Sequence, residues 1–285
     1  MNLLTGKPAT RRRARPGGAS LRAGATLLGA LAFGAVVARV LPIDPNAQNL
    51  AESYLPPMSG GHVLGTDVLG RDLLAWCAYG VATSLTVALM VVLISAFVGV
   101  LIGAYAAYMG GWVDAVLMRL VDLQLAVPPL LIFLAASMFI QPSYATMVVL
   151  LSSVGWVPYA RLVRANVLVD RERGYVAAAR LAGTRRIGIL FGHLIPAAAT
   201  PIIVYASLHI GFVVLSESAL SFLGLGFQPP TASLGYMISQ GRDQLVGSWW
   251  IATVPGLVII LLVVSANLIG DGLRDRFHLD SGGLE

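Results

Sequence analysis

Cysteine, lysine and charge are all scarce in this chain. Cys77 is the only cysteine among 285 residues, which excludes an intrachain disulfide and a multi-cysteine metal site. Lys7 is the only lysine, and no GxxxxGK[ST] sequence occurs, so the chain has no loop of the kind that cradles the phosphates of ATP. The four histidines, His62, His193, His209 and His278, are scattered without metal-ligand spacing. Charged residues make up only 12%, where a soluble domain has about 25%. What fills their place is apolar: 57% of residues are hydrophobic and the mean hydropathy is +0.79. The chain reads as an integral membrane protein.

Apolar segments long enough to span, roughly 20 residues each, lie at 21–41, 82–109, 116–140, 144–163, 198–220 and 249–268. Six transmembrane helices are therefore expected. The fourth is interrupted by Gly155, Trp156 and Pro158, which membrane helices tolerate when neighbours satisfy the freed backbone groups. Orientation follows from the basic residues. Placing the N-terminus in the cytoplasm puts all of the 19 Lys and Arg there except Arg39, Arg71 and Arg242, so the positive-inside rule selects that topology. The net charge of +5 is accounted for by membrane-flanking anchors, and no nucleic-acid partner is expected. Arg11–Arg15 before an apolar run could open a signal peptide, but the run is longer than a signal core of about 7–15 residues and further spans follow, so a retained anchor is expected.

One segment breaks the apolar pattern with an amphipathic one, Tyr175–Pro196. Ala177, Ala178, Ala179 and Ala182 favour a slim helix able to lie close against another protein. Gly183 suits the left-handed residue that ends a helix, and Thr184 suits the N-cap of the next. Arg180, Arg185 and Arg186 keep this helix-turn-helix in water, while Ile187, Leu190, Phe191 and Leu194 recur at helical spacing as an apolar stripe. Pro196 stops the second helix or opens the next span. By loop physics alone an ordinary surface loop could have the same composition.

The pattern of Ala177-Ala178-Ala179, Gly183 and His193-Leu194-Ile195-Pro196 resembles the "EAA" coupling loop of ABC importer permeases. Further resemblances follow in order along the chain. His62–Asp72 (HVLGTDVLGRD) resembles an outer segment of the C-type dipeptide and oligopeptide permeases. Gly110–Asp114 with Met118–Asp122, Gly155–Arg164, and Glu217–Gly226 with Gln228–Thr231 are similar to later segments of the same family. Two departures stand out: Ala177 occupies the place of the motif's acidic residue, and His193 and Ile195 replace its usual Ile and Leu.

The resemblance implies an all-α membrane protein with six transmembrane helices and a cytoplasmic helix-turn-helix coupling loop, the type I ABC importer permease. Residues 1–20 would be a basic cytoplasmic tail, 21–41 the first span, 42–81 an outer loop and 82–285 the permease core. That core would carry the coupling loop at about 165–197, an outer loop at about 221–248 and a cytoplasmic C-terminal tail. The implied location is a bacterial inner membrane with both termini cytoplasmic. The implied partners are a second homologous permease, one or two ABC ATPase subunits and an external substrate-binding protein. ATP and Mg would be bound by the ATPases and no cofactor by this chain, which would not itself be an enzyme. The implied coupling residues are Ala177, Ala178, Ala179, Gly183, Thr184, Arg185, Ile187, Leu190 and Pro196. Family cargoes include dipeptides, oligopeptides, nickel complexes and glutathione-like peptides, so the resemblance leaves the cargo open.

Within the spans, Glu217 is the acidic residue hardest to place at a helix end. Ionisable groups in a bilayer usually face a bundle interior, a water path or a partner. Glu217, with Ser221 nearby, either belongs to an outer gate or substrate path or pairs structurally with a helix terminus or a hydroxyl. Gln124 and Pro128-Pro129 suggest a bent helix with one polar group, beside a path or packed against a neighbour. Gly99 and Gly103 form a small-xxx-small pair suited to close helix contact. Thr66 and Asp67 suit helix caps, Gly65 and Gly70 suit turns, and Trp249 and Trp250 stand where an aromatic belt is expected. An independent secondary transporter would need several charged intramembrane groups or internal repeats, and a membrane enzyme would need a nucleophile-base or metal cluster; neither pattern is found.

Overall fold

A computed structural model describes residues 17–41, 44–137, 139 and 141–281. Most of the basic tail, including Lys7 and Arg11–Arg15, lies outside them. Every named element is helical: α1 (Gly17–Val40), α2 (Leu73–Met109), α3 (Gly111–Ala126), α4 (Pro129–Ser137), α5 (Tyr144–Asp170), α6 (Gly174–Leu181), α7 (Arg186–Ile189), α8 (Ile195–Ala197), α9 (Ala199–Phe222), α10 (Leu234–Gly241) and α11 (Trp250–Ser281). Among the described residues the only β pairing is two isolated bridges, Ser59 with His62 and Thr66 with Asp72.

Among the described residues five helices are long and apolar enough to cross a membrane, those at Gly18–Val40, Leu73–Met109, Tyr144–Asp170, Ala199–Phe222 and Trp250–Phe277. The expected span at 116–140 is instead a pair, α3 and α4, bent by 78°. The bend falls at Val127-Pro128, where Pro128 restricts Val127 to extended backbone (φ −100°, ψ 125°) and itself has no N–H to continue the helix. Counted as one broken span, the pair makes six.

The second span is longer than its apolar run predicts. Helix α2 starts at Leu73, not 82, because the Asp72 side chain accepts a hydrogen bond from the Ala75 N–H at 2.8 Å and caps it. Capping therefore falls to Asp72; Thr66 and Asp67, the expected caps, build the preceding loop. Thr66 Oγ1 accepts from the Leu55 N–H at 2.9 Å, and Asp67 Oδ1 accepts from the N–H groups of Leu69 and Arg71, both at 2.9 Å. Gly65 (φ +81°) and Gly70 (φ +71°) make the turns. The Asp67 carboxylate also pairs with the buried Arg71 guanidinium, whose Cζ lies 3.9 Å over the Trp76 ring.

Helix α5 runs through Gly155, Trp156 and Pro158 without stopping and is opened by a Ser143–Thr146 capping box. It lies parallel to α2. A Cβ on Gly99 would fall 2.4 Å from the Trp156 carbonyl oxygen, and one on Gly103 would fall 2.2 Å from that of Ala160, so backbone meets backbone at both places. Arg164 forks onto Asp114 with Nε–Oδ1 and Nη2–Oδ2 both at 2.6 Å, and Arg161 pairs with Asp122, which fastens α3 to α5. The main core forms where α2, α9, α10 and α11 meet, around Leu73, Trp76, Leu220, Leu234, Met237, Ile251 and Leu262. Trp250 belongs to this core rather than to an exposed belt: it is 6% exposed, and its Nε1–H donates to the Thr66 carbonyl at 3.1 Å. Trp249 is the exposed one of the two.

Candidate functional site

The amphipathic segment folds into two short helical limbs. Helix α6 carries the alanines, and Ala182 is its C-cap. Gly183 follows with φ +78°; its N–H donates to the Arg180 carbonyl at 3.0 Å, and the Thr184 N–H donates to that of Ala179 at 3.1 Å. These two reversed bonds form a Schellman ending, which needs a residue free of Cβ strain at positive φ. Thr184 does not cap the next helix. Its N–H is used in the ending of α6, its methyl faces Gly188, and the N-cap position falls to Arg185, which makes no side-chain cap.

The second limb runs from Arg186 to Ala197 through a π turn at Leu190–Leu194. Its i→i+5 bonding immediately precedes Pro196, which lies within the helical run and neither ends it nor opens α9. The expected apolar stripe is seated unevenly. Leu190 and Leu194 are buried, together with Ile189 and Val176, against Ala104 and Ala107 of α2 and Val163 and Val167 of α5. Ile187 and Phe191 remain exposed, at 72% and 53%. Ile187, Leu190 and Phe191 still border one cleft with Leu101, Ile102, Ala104 and Tyr105 of α2, so they keep one side of the limb and differ in depth. Val176 and Ile189 were not singled out in the sequence, although a lone valine before an alanine run is the kind of position that anchors such a helix.

The outward face of this loop presents Ala177, Ala178, Leu181, Arg180, Arg185, Arg186 and Ile187, all exposed, with Leu181 at 90%. The Tyr175 and His193 rings stack with centroids 6.3 Å apart and join the two limbs. The loop is thus apolar underneath, where it is seated on α2 and α5, and both apolar and basic on top, where it is exposed among the described residues.

A second constellation surrounds Glu217, whose side chain is fully buried. Ser84 of α2 donates to Oε2 at 2.8 Å, and Ser218 lies at 3.5 Å from the same oxygen. Ser221 donates to Oε1 at 2.9 Å and Ser233, the N-cap of α10, donates at 3.2 Å. Ser221 Oγ in turn accepts from the Phe227 N–H at 3.1 Å. One carboxylate therefore ties α2, α9 and α10 together. The Trp76 indole N–H adds a bond to the Ser233 carbonyl at 3.3 Å. Of the residues expected near a path, Glu217 and Ser221 meet here. Gln124 and Pro128 stand elsewhere, on the bent α3–α4 pair: Gln124 Nε2 donates to the Ser153 carbonyl, and Pro128 is exposed at the break. Ser84 and Ser233 were missed; Ser84 was marked only as a polar residue inside an apolar run, and Ser233 only as a serine before a short apolar helix.

The loop before α2 holds a third group. His62 Nδ1 lies 2.6 Å from Asp72 Oδ2 and its Nε2 lies 3.5 Å from Glu52. The hydrogen bond to Asp72 raises the His62 pKa above the usual imidazole value, against the opposing effect of burial, and Glu52 adds to the rise. Among the described residues no group of three or more His, Cys, Asp or Glu could hold a metal ion.

Residues 99–279 match the family model described as the binding-protein-dependent transport system inner membrane component. Among curated proteins, the chain is 40% identical over 241 residues to the di/tripeptide transport system permease protein DppC of Pseudomonas aeruginosa, covering 83% of this chain and 80% of that protein. It is 38% identical over 242 residues to the probable D,D-dipeptide transport system permease protein DdpC of Escherichia coli, with 85% and 81% covered. It is also 38% identical over 234 residues to the oligopeptide transport system permease protein OppC of Mycobacterium bovis, with 81% and 80% covered.

Proposed function

The chain belongs to the family of binding-protein-dependent transport system inner membrane components, and from that premise we propose that it forms half of the translocation pathway of an ATP-driven importer of dipeptides or oligopeptides. A second homologous permease completes the pathway in the bilayer. An external substrate-binding protein delivers the peptide, and one or two ABC ATPase subunits supply the energy. ATP and Mg are handled by those ATPases, consistent with a chain that lacks a phosphate-cradling sequence, and the permease itself performs no chemistry. Both termini and the Ala177–Pro196 loop face the cytoplasm of a bacterium, as the distribution of arginine favours.

The observation that carries this reading is the two-sided loop. Its top, with Ala177, Ala178, Leu181, Arg185 and Ile187, is exposed and slim enough to enter a groove of an ATPase. Its underside, Val176, Ile189, Leu190 and Leu194, is packed on α2 and α5. A movement imposed on the top passes through close-packed side chains to the membrane helices. Gly183, Thr184 and Pro196 set the loop's shape. At the opposite end Glu217 and Ser221 hold the segment after α9 closed as part of an outer gate, and Gln124 and Pro128 lie beside the path where α3 and α4 bend.

Gly183→Val tests the assignment in the assembled complex in liposomes. A β-branched residue at φ +78° is strained, so the turn between the limbs is lost or re-aimed. ATP hydrolysis is expected to be uncoupled from peptide uptake while the spans remain inserted, whereas Ala177→Glu, also a good helix former, is expected to be tolerated. Normal coupled uptake by Gly183→Val would remove the loop from the mechanism.

A further inference from the structure

A cleft of about 650 Å³ opens where the C-terminal part of α5, the first turns of α9 and the end of α11 come together. In the orientation proposed above, this is the cytoplasmic end of all three helices. Part of the lining is apolar, with Leu162, Val204 and Leu208 continued by the rings of Tyr205 and Phe277. The rest is polar or charged and includes Asn166, Asp271 and Arg274. The Tyr205 ring is held in place, since it stacks on His209 with centroids 5.7 Å apart and meets Tyr159 edge-on at 4.7 Å.

The two charges set the cleft apart. Asp271 and Arg274 stand one turn apart on α11, an interval at which opposite charges ordinarily meet. Asp170 and Arg173 have the same order and spacing, and they pair at 3.0 Å. Asp271 and Arg274 make no such pair, and neither has another ion pair or hydrogen bond among the described residues. Both are exposed and border the cleft, which thus presents one negative and one positive group beside an apolar wall.

We propose that this cleft holds the transported peptide on the exit side, Asp271 receiving its terminal ammonium and Arg274 its terminal carboxylate, a proposal that rests on the importer reading above. A free peptide at neutral pH is a zwitterion, and each of its ends would gain a charge-assisted hydrogen bond. Residues one turn apart have Cβ atoms about 5–6 Å from each other, and two extended residues span at most about 7 Å, so the ends of a dipeptide reach both groups. Recognition through the termini leaves the peptide's side chains to the apolar wall. Asn166 Nδ2 donates to the Leu162 carbonyl at 2.8 Å, which leaves its amide oxygen to accept the peptide N–H.

The probe is a dipeptide with p-benzoylphenylalanine as its second residue. It is photolysed with the assembled complex in phosphatidylglycerol nanodiscs, without the binding protein, and the adduct is located by mass spectrometry. An adduct on Tyr205, Leu208 or Phe277 is expected, about tenfold weaker in Asp271→Asn and in Arg274→Gln. It should be unchanged in Asp275→Asn, because Asp275 borders a neighbouring cleft beside α1 and not this one. Blocked probes read which charge takes which end: the N-acetylated dipeptide should no longer respond to Asp271→Asn, nor the C-amidated one to Arg274→Gln. An adduct elsewhere, equal labelling of parent and variants, or an equal loss in Asp275→Asn would overturn the site. Loss of the adduct when phosphatidylethanolamine is included would give the cleft to a lipid headgroup instead. ATP-driven uptake of the unmodified dipeptide by the parent complex with its binding protein keeps the two readings apart: uptake without the adduct refutes this site alone, and no uptake refutes the importer reading beneath it.

Discussion

Each serine around Glu217 has one proton to give. Ser221 already uses its oxygen as acceptor for the Phe227 N–H and Ser233 for the Tyr236 N–H, so the carboxylate is the acceptor on which these hydroxyls depend. Glu217→Leu keeps much of the volume but leaves Ser84, Ser221 and Ser233 without it. A stability loss on the order of 3 kcal/mol is expected, about 1 kcal/mol for each stranded hydroxyl, while Glu217→Gln retains a carbonyl oxygen and loses less. Thermal denaturation of the full chain measures both, and equal stability of parent and Leu variant would show that the hydroxyls find other acceptors. His62 gives a prediction that depends on pH. Its pKa is raised in the folded chain, so its contribution is fully present below the unfolded value of about 6.5 and is lost as pH rises through the folded value. His62→Gln should therefore destabilise the 44–72 segment at about pH 5.5 and make little difference at about pH 9, as read by limited proteolysis of that segment. At this scale Glu217 and Gly183 were legible in the sequence because an acid in an apolar run and a glycine after an alanine helix each have few explanations. Ser84 and Ser233 were not, since Ser84 lies 133 residues from the carboxylate it serves and only the fold brings them together.

Among the elements, a close helix contact on α2 was readable from the four-residue spacing of Gly99 and Gly103, because small residues at that interval let two membrane helices approach, though only the fold shows that the partner is α5. Gly103→Ala tests it. The new methyl would fall 2.2 Å from a carbonyl oxygen, so the helices must separate, at a cost of about 1–3 kcal/mol; Gly29→Ala, with nothing within 4 Å, is the neutral control in the same assay. The bend at Pro128-Pro129 was likewise visible, but not its 78°, which depends on where α4 finds its seat. The start of α2 was misjudged because hydropathy measures what lipid tolerates, whereas a helix begins where a cap satisfies its first N–H groups, here at Asp72. On the second limb of the loop the spacing marked the side of the apolar stripe but not its depth, since Leu190 and Leu194 are buried while Ile187 and Phe191 are exposed, and the π turn at Leu190–Leu194 left no mark in the sequence.

For the whole molecule the testable claim is orientation. In a Cys77→Ala background, cysteine at the exposed Arg185 should react with an impermeant thiol reagent from the cytoplasmic side alone, and cysteine at the exposed Arg242 from the outside alone; reversed labelling would invert the topology. Cys77 itself is buried, 3% exposed, so its removal leaves the background quiet. Between those two surfaces, α2 is one uninterrupted helix of 37 residues with no proline in it. Ala104, beneath the loop, and Ser84, which donates to Glu217, are both on it, 20 residues and so about 30 Å apart at 1.5 Å per residue. If the loop couples to an ATPase as proposed, this helix is its push-rod: a nudge to the seat at one end reaches the Glu217 bond at the other along one continuous shaft.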